Sequence, residues 1–128
     1  MRNYPEYQLC KQIAYYLKAQ YPNVIFHFDY AGLNLSKAQA GKMKVIQGKR
    51  GFPDLTIYEP MNGFKALMIE LKPEGTKLYN KDKEPVNEHI AEQLNCLLEL
   101  KLKGYKTAFG VGFDNTRQLI DDYLNGKL

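Results

Sequence analysis

With 128 residues, 45% of them hydrophobic and 25% charged, the chain has the make-up of one globular domain, far from the low-hydrophobicity compositions that stay disordered. Its longest apolar runs are a few residues, such as Ala66 to Ile69, far below the ~20 that a bilayer-crossing helix needs; the opening Met1-Arg2-Asn3-Tyr4-Pro5-Glu6 has no apolar run of the secretory kind, so cytoplasmic residence is expected. Eighteen Lys and Arg against fourteen Asp and Glu give a net charge of only +4, so the informative question is where the excess sits.

Taken in chain order, Leu9, Cys10, Ile13, Tyr16 and Leu17 recur at helical spacing and predict an amphipathic helix over Glu6 to Gln20, ended by Pro22. Asn23 to Tyr30 is rich in β-branched and aromatic residues and reads as a strand closed by Gly32. Leu35 to Ile46 reads as a short basic helix, and Gln47 to Pro53 as a loop punctuated by Gly48, Gly51 and Pro53. Strands follow at Asp54 to Tyr58 and Lys65 to Lys72, around the hairpin signal Asn62-Gly63. Pro73 to Val86 is expected as a long exposed loop. Asn87 caps a helix bearing Ile90, Leu94, Leu97, Leu98 and Leu102, which Gly104 stops. A strand over Tyr105 to Phe113 and a helix over Asn115 to Leu124 complete the chain. The order α, β, α, β, β, α, β, α describes an α/β (α+β) fold with a central mixed sheet flanked by helices. Cys10 and Cys96 fit no metal spacing and are expected as reduced, buried thiols.

Strand parity carries the chemistry, because alternate side chains share a face. On Lys65 to Lys72 one face holds Leu67, Ile69 and Leu71, which puts Met68, Glu70 and Lys72 on the other. On the preceding strand Leu55 and Ile57 form the apolar side, so Asp54 falls on the face of Glu70 and Lys72. Two converging carboxylates repel unless a cation neutralises them, and hard oxygen ligands select Mg²⁺ or Mn²⁺. The backbone carbonyl of Leu71 is a further candidate ligand. Lys72 cannot ligate, but it can orient an attacking water and stabilise charge on a phosphate oxygen. The competing reading is an ordinary cross-strand ion pair.

Two helical residues add to the pattern. Glu6 continues the apolar stripe of the first helix and is expected to look inward, and Gln93 sits between Ile90 and Leu97 on the apolar face of its own helix, where a buried amide needs a partner. From Lys37 to Arg50 the chain carries Lys37, Lys42, Lys44, Lys49 and Arg50 with no acid between them, either a plain solvated face or a phosphate-binding surface. His27 and Asp29, period-two neighbours, read as a structural histidine with a partner or, more remotely, as a metal pair, and His89 as a solvated first-turn residue.

The ordered strings Gly51-Phe52-Pro53-Asp54-Leu55, Ile69-Glu70-Leu71-Lys72 and Glu92-Gln93, followed by Gly104-Tyr105, resemble the VRR-NUC family, the virus-type replication and repair nucleases of the PD-(D/E)xK superfamily. The likeness spans nearly the whole chain, although the loop over Pro73 to Val86 is longer than it leads one to expect. It implies one nuclease domain over residues 1–128 with a restriction-endonuclease-like core. Asp54 and Glu70 would hold Mg²⁺ or Mn²⁺, Lys72 would be catalytic, and Glu6 and Gln93 would support the site. The implied activity is structure-selective DNA cleavage similar to that of Holliday junction resolvases, by a homodimer on branched DNA, in a bacterial or phage-infected cell. A flap or nonspecific DNA or RNA nuclease and a non-catalytic nucleic-acid-binding module are the alternatives.

Overall fold

In the computed structural model, residues 5–29 and 35–128 are described. Their elements run α1 (Pro5–Gln20), β1 (Phe26–Phe28), α2 (Lys37–Ile46), β2 (Leu55–Ile57), β3 (Leu67–Lys72), α3 (Glu88–Leu102), β4 (Lys106–Val111) and α4 (Gly112–Leu124), the expected order. The strands form one sheet in the order β1-β2-β3-β4, with β1-β2 and β2-β3 antiparallel and β3-β4 parallel. The sheet is therefore mixed: Asn62-Gly63 supplies the tight return between β2 and β3, and α3 makes the crossover that a parallel pair requires. Asn62 (φ 48°) and Gly63 (φ 85°) both take positive φ, as a primed hairpin turn demands, and Met61 and Phe64 exchange backbone hydrogen bonds across them.

Every residue of β3 is buried, because helices cover both faces of the sheet. One face, carrying Leu55, Ile57, Leu67, Ile69 and Leu71, packs with Leu9, Ile13 and Leu17 of α1 and with Ile120 and Tyr123 of α4 to form the apolar core. Burying each large aliphatic side chain there contributes about 1.5–3 kcal/mol. α3 covers the other face, where Thr107, aligned with Met68, donates to the Leu97 carbonyl at 3.0 Å. α1 and α4 also meet at one carboxylate. Asp121 accepts the hydroxyls of Tyr16 (2.6 Å) and Tyr21 (2.7 Å) and pairs with Arg117 at 2.9 Å.

Two boundaries depart from the sequence expectation. The strand expected over Asn23 to Tyr30 is only Phe26–Phe28, flanked by single backbone bonds from Tyr58 N–H to the Ile25 carbonyl and from Asp29 N–H to the Asp54 carbonyl. Its partner β2 is bracketed by Pro53 and Pro60, neither of which can donate to a ladder, and an edge strand extends no further than its partner. Tyr30 and Gly32 lie outside the described residues. The strand expected to reach Phe113 ends at Val111, and α4 starts at Gly112 instead of Asn115. Gly112 turns the chain at φ 76°, and Asn115 works one turn inside the helix, accepting the Val111 N–H at 2.8 Å.

The remaining signals fall where expected. Ser36 and Gln39 form a capping box at the start of α2, a helix that buries none of its residues. The Asn87 side chain accepts from the Ile90 N–H at 2.8 Å, and Gly104 (φ 102°) follows α3. Residues 73–86 hold no helix or strand and are mostly exposed; Asn80 Oδ1 knits them by accepting from the N–H groups of Asp82 and Glu84. Among the described residues, no helix is long and apolar enough to cross a membrane.

Candidate active site

The β2-β3 register pairs Leu55 with Ile69, so one step beyond the end of β2 sets Asp54 opposite Glu70. The preceding turn fixes that position. Gly51 has φ 76°, and a Cβ there would lie 2.9 Å from the Glu92 carbonyl oxygen, so only glycine lets the loop press this closely on α3. Asp54 Oδ2 accepts the Leu71 N–H at 2.9 Å, standing in on the β2 side for the ladder bond that β2 is too short to make.

Glu70, Lys72 and Gln93 are 4%, 6% and 5% exposed, so three polar side chains share the layer between the sheet and α3. Gln93 Nε2 donates to Glu70 Oε1 at 2.8 Å, while Glu70 Oε2 and Gln93 Oε1 are buried without a partner. Orphaned buried acceptors are rare because each costs about 1–3 kcal/mol. Burial raises the pKa of Asp54 and pushes that of Glu70 up to about 10, where the neighbouring Asp54 charge adds to the effect. The Lys72 charge pulls both back without offsetting burial. No ion pair within 4 Å joins Lys72 to either carboxylate among the described residues, so the exposed cross-strand pair weighed from the sequence is not what forms.

A cleft of about 390 Å³ opens on this layer and gathers Glu6, Asp54, Glu70, Lys72 and Gln93, with Arg50 at its rim. Glu6 is the correction among them: it is exposed, not turned into the core. It does continue the stripe of Leu9, Ile13 and Leu17, but it sits in the first turn of α1, past the edge of the apolar packing, where the stripe opens on the cleft. Leu71 reaches an adjoining cleft that shares Glu6, Asp29 and Asp54. Lys37, Lys42 and Lys44 lie on the exposed α2, away from both clefts, and Lys49 forms an ion pair with Glu99 of α3. Cys96 is buried; Cys10 is only half-buried, and burial together with Asp54 and Glu6 pushes its thiol up to about 12, out of reach of nucleophilic use.

Sequence reasoning missed Asp29, His89 and Glu92 as cleft residues. The last two were findable, because positions 89, 92 and 93 share one side of a helix. His27 is exposed and does not line the cleft.

The donors suit a hard divalent cation. Two carboxylates converge, one with an unsatisfied buried oxygen, and the pair carries excess proton affinity that a cation would relieve. Among the described residues no three His, Cys, Asp or Glu side chains converge tightly enough to enclose an ion unaided. Mg²⁺ and Mn²⁺ are commonly held by one or two carboxylates and complete their shells with water and substrate oxygens.

A mixed sheet with helices on both faces, its polar layer at the end of the central hairpin, defines the α+β fold of restriction-endonuclease type. A solved structure described as "VRR_NUC domain protein" shares this fold, with a TM-score of 0.69 at 21% identity over 98% of this chain and 93% of that one. The architecture implied by the sequence resemblance is thus the one observed. No family model and no curated protein matches the sequence.

Proposed function

We propose that the chain is a metal-dependent nuclease of the VRR-NUC family that hydrolyses phosphodiester bonds in DNA as an endonuclease. The observation that carries this reading is the half-buried Asp54 set against the buried Glu70, whose Oε2 has no partner, beside the buried Lys72. Asp54, Glu70 and the Leu71 carbonyl would hold Mg²⁺ or Mn²⁺, which supplies charge neutralisation and Lewis acidity toward a phosphate oxygen. Gln93 fixes the Glu70 carboxylate by donating to Oε1, which leaves Oε2 uncommitted. The Lys72 ammonium donates to the attacking water and stabilises negative charge as the bond to the leaving oxygen breaks. Glu6, at the open side of the cleft, would orient water or a second ligand.

The run from Lys37 to Arg50 leads from α2 to the cleft rim and would grip backbone phosphates without reading bases. A domain this small has little surface for sequence recognition, which favours substrates recognised by shape. Two copies related by a two-fold axis would match a branched junction, in the manner of Holliday junction resolvases in the cytoplasm of a bacterial or phage-infected cell.

Incubation with labelled junction, flap, duplex and single-stranded substrates of DNA and RNA, with Mg²⁺, Mn²⁺ or EDTA, tests the reading. Metal-dependent cleavage of branched DNA is the expected result. Preferred cleavage of flaps or RNA would replace the substrate, and binding without cleavage in any metal would leave a nucleic-acid-binding module.

A further inference from the structure

The side of α1 turned from the core is not a plain solvated face. At 3.6 residues per turn, Tyr7, Lys11, Ala14, Tyr15 and Lys18 fall within an arc of about 100°. They line a cleft of about 340 Å³ together with Phe28, Asp54 and Leu71. The cleft continues into the carboxylate site through Glu6, Asp29 and Asp54, which line both.

The tyrosines here differ from those that tie α1 and α4 into the fold. Tyr16 and Tyr21 are anchored through their hydroxyls to Asp121, and Tyr123 to the Glu59 carbonyl. Tyr7 and Tyr15 are 47% and 62% exposed, and among the described residues neither hydroxyl has a hydrogen-bond partner. Lys11 hovers 5.9 Å from the Tyr15 ring, so cation and aromatic face are presented together. Exposed rings interleaved with ammonium groups along a groove suit a polyanion with flat apolar units: rings stack on bases, and lysines meet phosphates. A duplex hides its base faces, so only an unpaired strand can use both features.

We propose that this groove seats an unpaired nucleic-acid strand, its bases stacked on Tyr7 and Tyr15 and its phosphates on Lys11 and Lys18, and delivers that strand to Asp54 and Glu70. This deepens the nuclease reading and rests on it for the direction of delivery, though the strand site itself stands on the groove alone. The substrate class is a branched or frayed end with a single-stranded arm. All four side chains lie outside the core, so their replacement leaves the packing intact.

Fluorescence anisotropy on the full chain in EDTA tests the site with three labelled probes: a short DNA strand, an RNA strand of the same sequence and the blunt DNA duplex. Tyr7→Ala with Tyr15→Ala should weaken strand binding about tenfold or more and leave duplex binding within about twofold. Tyr7→Phe with Tyr15→Phe should keep the affinity, because the ring does the stacking. Lys11→Gln with Lys18→Gln should lower the salt slope for the strand by about 1.4, two phosphates at roughly 0.7 each. Whichever strand loses affinity identifies the sugar; loss with neither, or equal loss for strand and duplex, overturns the proposal. Because binding is read without metal, failure to cleave in any metal would sink the nuclease reading and leave the strand site standing. Cleavage that proceeds while strand binding ignores the tyrosines would sink the strand site alone.

Discussion

In the metal-free protein Glu70 holds its proton far above the ordinary carboxyl range, because burial and the adjacent Asp54 both oppose its charge. An acid with a higher folded than unfolded pKa stabilises the fold fully below its unfolded value, 4.5 for a glutamate, and loses that contribution as pH rises toward about 10. In EDTA the melting temperature should therefore fall across that window, and Glu70→Gln should flatten the slope. Mg²⁺ held at this pair, as proposed above, would displace the proton, so its stabilising effect should grow with pH. Calorimetric melts across pH check all three, and an unchanged slope in Glu70→Gln would assign the dependence elsewhere. Asp54→Asn and Glu70→Gln should abolish cleavage while keeping DNA binding. Lys72→Ala should cut turnover about a hundredfold or more with metal affinity retained, read by titration calorimetry. Asp54, Glu70, Lys72 and Gln93 were legible in the sequence because strand parity and helical spacing are local properties. The exposure of Glu6 and the presence of Asp29 were not, since they depend on where α1 and β1 end relative to the sheet edge, whereas His89 and Glu92 share the helix side of Gln93 and could have been read with it.

At the scale of elements, the order of helices and strands was readable because apolar periodicity, Asn87, Gly104 and Asn62-Gly63 act within a few residues of where they sit. The length of β1 was not, because it is set by prolines at both ends of a partner strand remote in sequence. Gly51 joins the two levels: its positive φ, and the lack of room for a Cβ, which would lie 2.9 Å from the Glu92 carbonyl oxygen, let the Asp54 loop press against α3. Gly51→Ala should cost about 1–3 kcal/mol of stability and lower cleavage as Asp54 moves away from Glu70, a pairing of losses visible in a melt and a rate assay. The exposed α2 makes the opposite forecast. Lys42→Glu with Lys44→Glu should leave the melting temperature nearly unchanged, yet weaken binding to all DNA sequences alike and reduce its salt slope; an unaltered slope would place the phosphate grip elsewhere.

For the whole molecule, a homodimer should appear in light scattering, with junction DNA preferred over linear duplex, since two coordinated cuts need two sites related by symmetry. A monomer both free and junction-bound would remove the resolvase reading and keep a simpler nuclease. The Asp121 knot bears on this same chemistry from a distance. It clamps Tyr16 and Tyr21, at the far end of α1, whereas Glu6 lies ten residues away, about 15 Å along the axis. α1 is thus tied at one end by this knot and along its inner side by Leu9, Ile13 and Leu17, and only its first turn, which carries Glu6 and Tyr7, projects past the core. Asp121→Ala should lower the melting temperature by freeing two tyrosine hydroxyls and a guanidinium at a joint that lines neither cleft, and, on the nuclease reading proposed above, any loss of cleavage that accompanies it would come through the seating of α1 alone.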